Sequence, residues 1–421
     1  MKQAIKIIHV SDIHFGSGEG HGRLNPKTGL NVRFEDFSRS FARVVDYALS
    51  HQADMFLFSG DAYKNASPEP LYQKAFAEQL KKLSDAKIPT VLLVGNHDQI
   101  LKATASHSMS VFQSLEVPGV TVIESPKLIR IETKNGPLQL IGLPHVTRHL
   151  LMSHEKYGKL GAGEIDQVLV KHVSEIMQHF YEQLDEQLPS VATAHIMVDT
   201  ARAGAEQDLL VGYSMTFPLD IFVHPKLDYV ALGHVHKHQV LRAEKPAVAY
   251  AGSIERVDFG EESEDKGFIE ADIRRGEANL NFHSLGPRPF VTVKADLTDV
   301  ESPTQHLLDL ARKQVESGAV FRIKYRIQQS RLHELDEEAV RNALPEVLSL
   351  RFKPEIIFTE RPRRMPEINE SLVLSPISAL DKYLSQVAPE NKTNLLAKAQ
   401  DLISQLNKGS TPSPEEEQAT S

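Results

Sequence analysis

Five short stretches place metal-binding side chain types directly after a predicted β-strand. The stretches read SDIH, SGD, GNHD, TAH and GHVH, and their candidate ligands are Asp12, His14, Asp61, Asn96, His195, His234 and His236. A single loop histidine is usually a structural residue, so each stretch alone is weak evidence. Five of them, each in the exit loop of a strand, are poorly explained by chance. Carboxylate, imidazole and amide oxygen are donors for divalent ions, and this mixture suits Mn²⁺ best, with Mg²⁺ as the alternative.

The same donor set is suited to chemistry at phosphorus. Two divalent ions about 3.5–4 Å apart can bind both the attacking and the leaving oxygen of an in-line displacement. One carboxylate should bridge the ions, because it can give one oxygen to each. Glycines beside the candidate ligands (Gly60, Gly95 and Gly233) permit tight turns and close backbone approach.

The elements that carry these loops alternate between strand and helix. AIKIIHV, ADMFLFSGD and IPTVLLVGNHD read as strands, and FEDFSRSFARVVDYALSH and PEPLYQKAFAEQLKKLSD have helical spacing. This β-α-β-α-β order predicts parallel strands with crossover helices, whose sites form outside the carboxyl ends of the strands. Strands outnumber helices from there to about residue 275, which predicts a second sheet packed on the first.

The remaining chain divides into smaller segments. We expect a catalytic domain over 1–280 and a small β-α-β-α-β unit over 286–360. A Pro- and charge-rich linker follows over 361–374, and two amphipathic helices lie within 375–408. The acidic tail, 409–421, is predicted to be disordered.

Composition excludes several classes of protein. The chain has no cysteine among its 421 residues, which rules out disulfides and thiolate metal sites. Its net charge of -9 is not typical of a nucleic-acid binder, although a local basic face stays possible. No stretch reaches the roughly 20 apolar residues that span a bilayer, so we expect a cytoplasmic protein with no membrane partner.

The five motifs resemble those of the calcineurin-like metallophosphoesterases. The stretches VRFEDFSRSF and YAGSIERVDFGEESEDKGF further resemble SbcD-type nuclease subunits of bacterial SbcC–SbcD DNA-repair complexes, and the resemblance covers nearly the whole chain. It implies an α/β fold, a four-layer α/β/β/α sandwich followed by a small α+β capping and DNA-binding domain and C-terminal helices. The implied activity is a nuclease with two divalent ions, Mn²⁺ or Mg²⁺, acting as a 3′–5′ exonuclease on double strands and an endonuclease on single strands and hairpins.

The resemblance also assigns the ligands. It gives the first ion Asp12, His14, Asp61 and His236, and the second ion Asp61, Asn96, His195 and His234. His97 would steady transition-state charge or protonate the leaving 3′ oxygen, and Asp98 would orient it. His238, which alternates with His234 and His236, is left without a role and is predicted to lie at the rim. His9 is predicted to be a core histidine, and His145 either lines the cleft or is structural.

Partner contacts are implied in the same way. Arg23, Lys27 and Arg33 are candidates for DNA phosphate contacts, with a solvated loop as the alternative. Leu71, Met109 and Phe112 are candidates for a homodimer interface, with core packing as the alternative. The terminal helices would bind the coiled-coil base of an SbcC-type ATPase, in a nucleoid-associated heterotetramer. Competing hypotheses are a stand-alone phosphoesterase acting on nucleotides or phosphoproteins, and a scaffold without activity.

Overall fold

The computed structural model describes residues 3–99, 106–148, 161–202, 215–358, 376–387 and 392–408. The chain forms two compact units. The first comprises Met1–Tyr325 and Glu334–Glu355, and the second comprises Arg326–His333 and Ile356–Ser421. The predicted linker over 361–374 and the predicted tail over 409–421 lie outside the described residues.

The described strands and helices follow the predicted order closely. The strands are β1 (Ile5–Val10), β2 (Met55–Phe58), β3 (Thr90–Leu93), β4 (Val120–Ile123), β5 (Lys127–Thr133), β6 (Gly136–Leu143), β7 (Ser190–His195), β8 (Met197–Val198), β9 (Thr216–Phe217), β10 (Tyr229–Gly233), β11 (Gln239–Arg242), β12 (Ala247–Tyr250), β13 (Gly267–Arg274), β14 (Glu277–Ser284), β15 (Phe290–Asp296), β16 (Val320–Gln328) and β17 (Ser349–Ile357). The helices are α1 (Val32–Ser50), α2 (Pro70–Asp85), α3 (Ser110–Ser114), α4 (Ala162–Gln183), α5 (Pro303–Gln314), α6 (Glu337–Asn342), α7 (Pro376–Val387) and α8 (Lys392–Lys408).

Two six-stranded sheets form the centre of the first unit. The first sheet has the order β14-β13-β1-β2-β3-β4, with β1 to β4 parallel and β13 and β14 antiparallel at one edge. The second sheet has the order β11-β12-β10-β7-β6-β5, with β6, β7, β10 and β12 parallel. In each sheet the parallel strands end at a common edge, which is where the predicted ligands follow them.

Alternating side chains join the sheets and helices into four layers. Ile7 of β1 packs with Leu140 and Val191 of the second sheet, in a core between the two sheets. Its neighbour Ile8 points to the opposite face, as strand geometry requires, and packs in the core that contains α1 and α2. The far face of the second sheet packs on α4 through residues such as Leu169. The predicted α/β/β/α arrangement is confirmed.

Helix α1 shows how local sequence places a layer. Asn31 caps the helix by accepting a hydrogen bond from the backbone N–H of Arg33 at 2.9 Å. Residues at helical spacing then form one buried face, which includes Phe37, Phe41 and Val44. This face covers the first sheet directly behind the loops that follow β1 and β2.

The C-terminal elements are smaller. Strands β15, β16 and β17 form a three-stranded sheet, and α5 and α6 lie between them in the chain, as the β-α-β-α-β prediction requires. In the second unit, Lys392 of α8 contacts Asp381 of α7 at 2.9 Å. None of the helices in the described ranges is long and apolar enough to span a membrane.

Candidate metal centre

The predicted ligands lie at the shared carboxyl ends of β1, β2, β3, β7 and β10. The loops after β1 and β2 are joined by backbone hydrogen bonds from Asp12 N to Gly60 O at 2.9 Å and from His14 N to Asp61 O at 3.1 Å. Across the sheets, the backbone N–H of His234 donates to the carboxylate of Asp12 at 3.1 Å. Hydrogen bonds within the protein therefore hold together loops that are far apart in sequence.

All seven predicted ligands come together at this edge. One half contains the His14 and His236 rings, whose Nε2 atoms are 3.0 Å apart, beside the buried Asp12. In the other half, Asn96 Oδ1 lies 2.9 Å from His195 Nε2 and 3.0 Å from His234 Nδ1.

Asp61 connects the two halves. Its Oδ2 is 3.1 Å from His195 Nε2 and 3.6 Å from His14 Nε2. The position between two sets of donors is the one a bridging carboxylate needs.

The donor chemistry fits divalent cations. His195 Nδ1 pairs with the carbonyl of Ser59 at 2.7 Å, and His236 Nδ1 pairs with Glu261 Oε1 at 2.7 Å. Both partners accept hydrogen bonds, so both Nδ1 atoms are donors, and Nε2 is the nitrogen that each ring turns toward the site. His195 Nε2 faces oxygens of Asp61 and Asn96, and a proton on this nitrogen or a bound cation satisfies such converging acceptors.

The buried carboxylates depend on the surrounding histidines. Burial alone would raise the pKa of Asp12 and Asp61, but the neighbouring histidines outweigh it and lower the pKa of both. Burial would lower the pKa of His195, and the charge of Asp61 reverses this and raises it to about 9. The two carboxylates therefore favour positive charge on the groups that face them.

Unusual backbone conformations aim several of these side chains. Asp12, His14, Asp61 and His234 have positive φ angles of 53°, 51°, 64° and 95°. Such conformations cost roughly 1–3 kcal/mol each outside glycine, and they persist only where the surrounding structure imposes them. A Cβ atom on Gly95 would lie 2.1 Å from Asp61 Oδ1. Only glycine therefore leaves room for the close approach to this predicted ligand.

His97 lies exposed beside the first half of the site. Its Nδ1 pairs with the carbonyl of Lys64 at 2.8 Å, and its ring meets the His14 ring edge-on with centroids 4.9 Å apart. One of its ring nitrogens is within 4.8 Å of ligand atoms of His14 and Asp61. Because Nδ1 donates to a carbonyl, Nε2 is the atom that can meet a substrate.

Asp98 has a different role from the predicted one. It is fully buried, and its oxygens accept hydrogen bonds from the N–H groups of Asp61 at 2.9 Å, Ala62 at 3.2 Å and Gly95 at 3.0 Å. Burial and the charge of Asp61 raise the pKa of Asp98 to about 6. Asp98 thus fixes the loops that carry Asp61 and Asn96, while the carbonyl of Lys64 orients His97.

Comparison with known proteins agrees with this geometry. The family model for calcineurin-like phosphoesterases matches residues 5–238, which is more than half of the chain. The chain belongs to the calcineurin-like phosphoesterase family. Divalent metal ions are implied by membership of this family, whereas their identity is left open.

Individual relatives are more distant. The phosphoesterase is 23% identical over 317 residues to the SbcD subunit of the SbcCD nuclease of Escherichia coli strain K12. This alignment covers 73% of this chain and 76% of that protein. The chain is 26% identical over 328 residues to the DNA double-strand break repair protein Mre11 of Archaeoglobus fulgidus, covering 74% and 65%. The predicted similarity to SbcD-type subunits is confirmed. A solved dimetal phosphatase from Danio rerio is 10% identical, covers 67% of this chain and all of its own, and has a TM-score of 0.37, too low to support further argument.

Three other histidines of the phosphoesterase have structural partners. His9 is buried and pairs with the hydroxyl of Tyr229 at 2.7 Å, in the core as predicted. His238 Nδ1 contacts the carbonyl of Tyr250 at 2.9 Å, and its ring stacks on Phe282. His145 Nδ1 contacts the carbonyl of His195 at 3.1 Å, so its ring supports the backbone of a predicted ligand.

Three predictions about surface contacts in this phosphoesterase were wrong. Arg33 is fully buried, with Nη1 2.7 Å from Asp36 and Nη2 donating to the carbonyl of Arg256, so it is not available to DNA. Met109 and Phe112 are buried in the core beside α2, which is the packing alternative. Arg23, Lys27 and Leu71 are exposed, and their predicted contacts stay predictions.

The burial of Arg33 leads to a stability prediction for the phosphoesterase. Arg33→Met should lower the free energy of unfolding by about 1.5–3 kcal/mol, because the buried Asp36 and Glu255 each lose a charged partner, although Arg288 still pairs with Asp36. Arg39→Met is the matched control, since Arg39 contacts the same Asp36 at 3.3 Å but is largely exposed; it should cost less than about 1 kcal/mol. Urea unfolding followed by circular dichroism measures both. Equal losses of unfolding free energy in the two variants would contradict the structural role of Arg33. Weaker DNA binding by an Arg33→Met protein of wild-type stability would also contradict it.

Proposed function

We propose that this phosphoesterase is a metal-dependent DNA nuclease subunit that works with an SbcC-type ATPase in DNA end processing. The observation that carries the proposal is the convergence of seven residues with N and O donor atoms, with Asp61 between the two halves, in a chain related to SbcD and Mre11 nucleases. The first ion takes Asp12, His14, Asp61 and His236. The second ion takes Asp61, Asn96, His195 and His234.

The chain's own residues have separate tasks in hydrolysis. The ions, when bound, supply positive charge that offsets the charge developing on the phosphoryl oxygens. Asp98 and the left-handed turns hold the ligand loops in place. His97, oriented through Lys64, either steadies the transition state or protonates the leaving 3′ oxygen.

A basic surface on the small sheet supports DNA as the substrate. Lys294, Arg322 and Lys324 line an open cavity of about 500 Å³ together with Glu262, Thr292 and Gln314. The positive charge of Arg322, followed by burial and then by the charges of Lys353 and Lys294, lowers the pKa of Lys324. Positive side chains are therefore concentrated on one face although the chain is acidic as a whole, and such a face suits phosphate groups.

Charge reversal on this face tests its role. Lys294→Glu combined with Lys324→Glu should weaken duplex DNA binding at least about 10-fold in low salt, and should reduce the slope of log affinity against log salt by roughly 2. Fluorescence anisotropy across a salt series measures both effects. Lys171→Glu, on the exposed side of α4, is the control. An equal loss in the control, or no loss in the double variant, contradicts this assignment.

The proposed partners use other surfaces. Helices α7 and α8 expose Tyr383, Leu395 and Leu402, and we assign this apolar surface to the base of the SbcC-type coiled coil. The homodimer would use α2, where Leu71 is 38% exposed.

The proposed activities are 3′–5′ exonuclease on double strands and endonuclease on single strands and hairpins, with Mn²⁺ as the preferred ion.

The direct test is an assay on defined substrates. The purified chain is incubated with end-labelled duplex and hairpin DNA and with Mn²⁺, Mg²⁺ or EDTA, with and without the ATPase partner. We expect Mn²⁺-dependent cleavage that EDTA abolishes. Hydrolysis of nucleotides or phosphoproteins with no cleavage of DNA in any condition would favour the stand-alone phosphoesterase, and no hydrolysis at all would favour the scaffold.

A further inference from the structure

Glu261 is a buried carboxylate that reaches a predicted metal ligand from outside the metal site. Its side chain belongs to a 3₁₀ turn over Phe259–Glu261 and is almost fully buried. Oε1 lies 2.7 Å from His236 Nδ1, and Oε2 accepts a hydrogen bond from the backbone N–H of Val257 at 2.8 Å. The contact thus falls on the ring nitrogen that faces away from the ions.

This contact determines which nitrogen of His236 is available. A carboxylate only accepts hydrogen bonds, so Nδ1 carries the proton and Nε2 keeps its lone pair. Nε2 is the atom that lies 3.0 Å from His14 Nε2, inside the first half of the site. Glu261 therefore sets both the tautomer and the direction of the ring.

Lys266 keeps the carboxylate in place and ionised. Its buried Nζ lies 3.1 Å from Glu261 Oε2, 2.8 Å from Glu264 Oε2 and 3.0 Å from the carbonyl of His236. The same ammonium group thus holds Glu261 and the backbone of the ligand that Glu261 orients. A buried carboxylate beside a buried ammonium stays charged, which makes it a strong acceptor.

The small sheet fixes the turn from its other side. Phe259 packs against Phe290 of β15, with ring centroids 5.0 Å apart, and lies beneath the guanidinium of Arg322 at 4.0 Å. Next along the chain, Glu262 accepts hydrogen bonds from the N–H and hydroxyl of Thr292. The turn is consequently held rigid on both sides of Glu261.

We infer that Glu261 is a positioning residue for the first metal ion, acting through His236. The inference rests on the proposed metal centre. Hydrogen-bond partners behind metal-binding histidines typically change metal affinity by about 10- to 100-fold when they are removed. Glu261→Ala should therefore weaken one of the two Mn²⁺ sites by about that factor and leave the other within about threefold.

Glu264→Ala is the matched control. Glu264 is also a buried carboxylate paired with Lys266, but its described contact is with that ammonium group rather than with His236. It should leave both affinities close to wild type. Mn²⁺ binding to the full chain is followed by electron paramagnetic resonance of free Mn²⁺ and by calorimetry, with thermal unfolding of the metal-free proteins as the check on folding.

The outcomes separate this inference from the proposed function. If wild type binds no Mn²⁺, the proposed metal centre fails. If wild type binds two ions and folded Glu261→Ala binds both equally well, or if Glu264→Ala shows the same loss, the positioning role is overturned. If Glu261→Ala does not fold, Glu261→Gln is compared with Glu264→Gln, because an amide oxygen is a weaker hydrogen-bond acceptor than a carboxylate. A smaller loss of Mn²⁺ affinity that is confined to Glu261→Gln supports the positioning role. Equal Mn²⁺ affinities in the two variants overturn it.

Discussion

Asp61→Asn is expected to lower kcat/KM for DNA hydrolysis at least about 1,000-fold and to weaken binding of both metal ions. Asp61 Oδ2 faces donors of both halves of the site, His195 at 3.1 Å and His14 at 3.6 Å, so in the proposed site its charge would serve both ions. Asparagine tolerates the left-handed backbone at this position, where φ is 64°. The change therefore removes a charge without forcing the loop to refold. DNA cleavage and Mn²⁺ titration measure the two effects.

Asp54→Asn is the control at the opposite end of the same strand. Asp54 precedes β2, is buried, and accepts hydrogen bonds from Lys6 N at 2.7 Å and Asn135 Nδ2 at 2.9 Å. Its substitution should cost about 1–3 kcal/mol of stability and leave the activity of the folded protein within about twofold. The bridging assignment would be contradicted if Asp61→Asn bound both ions with wild-type affinity. It would also be contradicted if Asp61→Asn and Asp54→Asn lost similar amounts of activity.

The candidate site was predictable because its ligands follow a simple rule. Parallel strands of one sheet end at one edge, and Asp12, Asp61 and Asn96 each come shortly after such a strand. Hydrophobic runs and short polar loops locate these ends from sequence alone. The same periodicities predicted crossover helices and a second sheet packed on the first, because strands buried on both faces need cover on each side, whereas the four-layer sandwich came from the family resemblance.

The burial of side chains near the motifs in sequence was harder to predict. Arg33 is close to the first motif and looked available to DNA, yet it lies four residues before Phe37 and eight before Phe41 on the inward face of α1. That spacing was a signal that could have placed it inside. Phe112 follows Met109 by one helical turn, and its ring packs 5.7 Å from that of Phe76, a contact that only the folded chain brings about.

The hydrogen bonds that support the predicted ligands gave no local signal. Asp98 binds N–H groups of Asp61 and Ala62, which are 37 and 36 residues earlier in the chain, and Glu261 binds His236 across 25 residues. Hydrogen bonds of this kind depend on loop conformation, and the loops here contain left-handed residues that periodicity does not reveal. Sequence reasoning therefore identified the side chains that the structure brings together, and it missed the hydrogen bonds that orient them.

His97→Ala is expected to lower kcat for DNA cleavage by about 100- to 10,000-fold while metal binding is unchanged. The side chain is exposed, and the backbone N–H that donates to Asp61 Oδ1 at 2.9 Å remains in the variant, so the ligand shell is preserved. His238→Ala is a suitable control, because that ring stacks on Phe282 away from the proposed reaction. Wild-type cleavage by His97→Ala would remove this residue from the mechanism.

The size of the loss on a second substrate distinguishes the two roles proposed for His97. A deoxyribose 3′ oxygen is a poor leaving group and needs a proton, whereas p-nitrophenolate leaves without one. If His97 donates that proton through Nε2, His97→Ala should cleave a p-nitrophenyl phosphodiester nearly as fast as wild type while remaining defective on DNA. If His97 instead steadies charge on the phosphoryl group, both substrates develop that charge, and both rates should fall by similar factors. The ratio of the rate losses on DNA and on the p-nitrophenyl phosphodiester therefore assigns the role of His97.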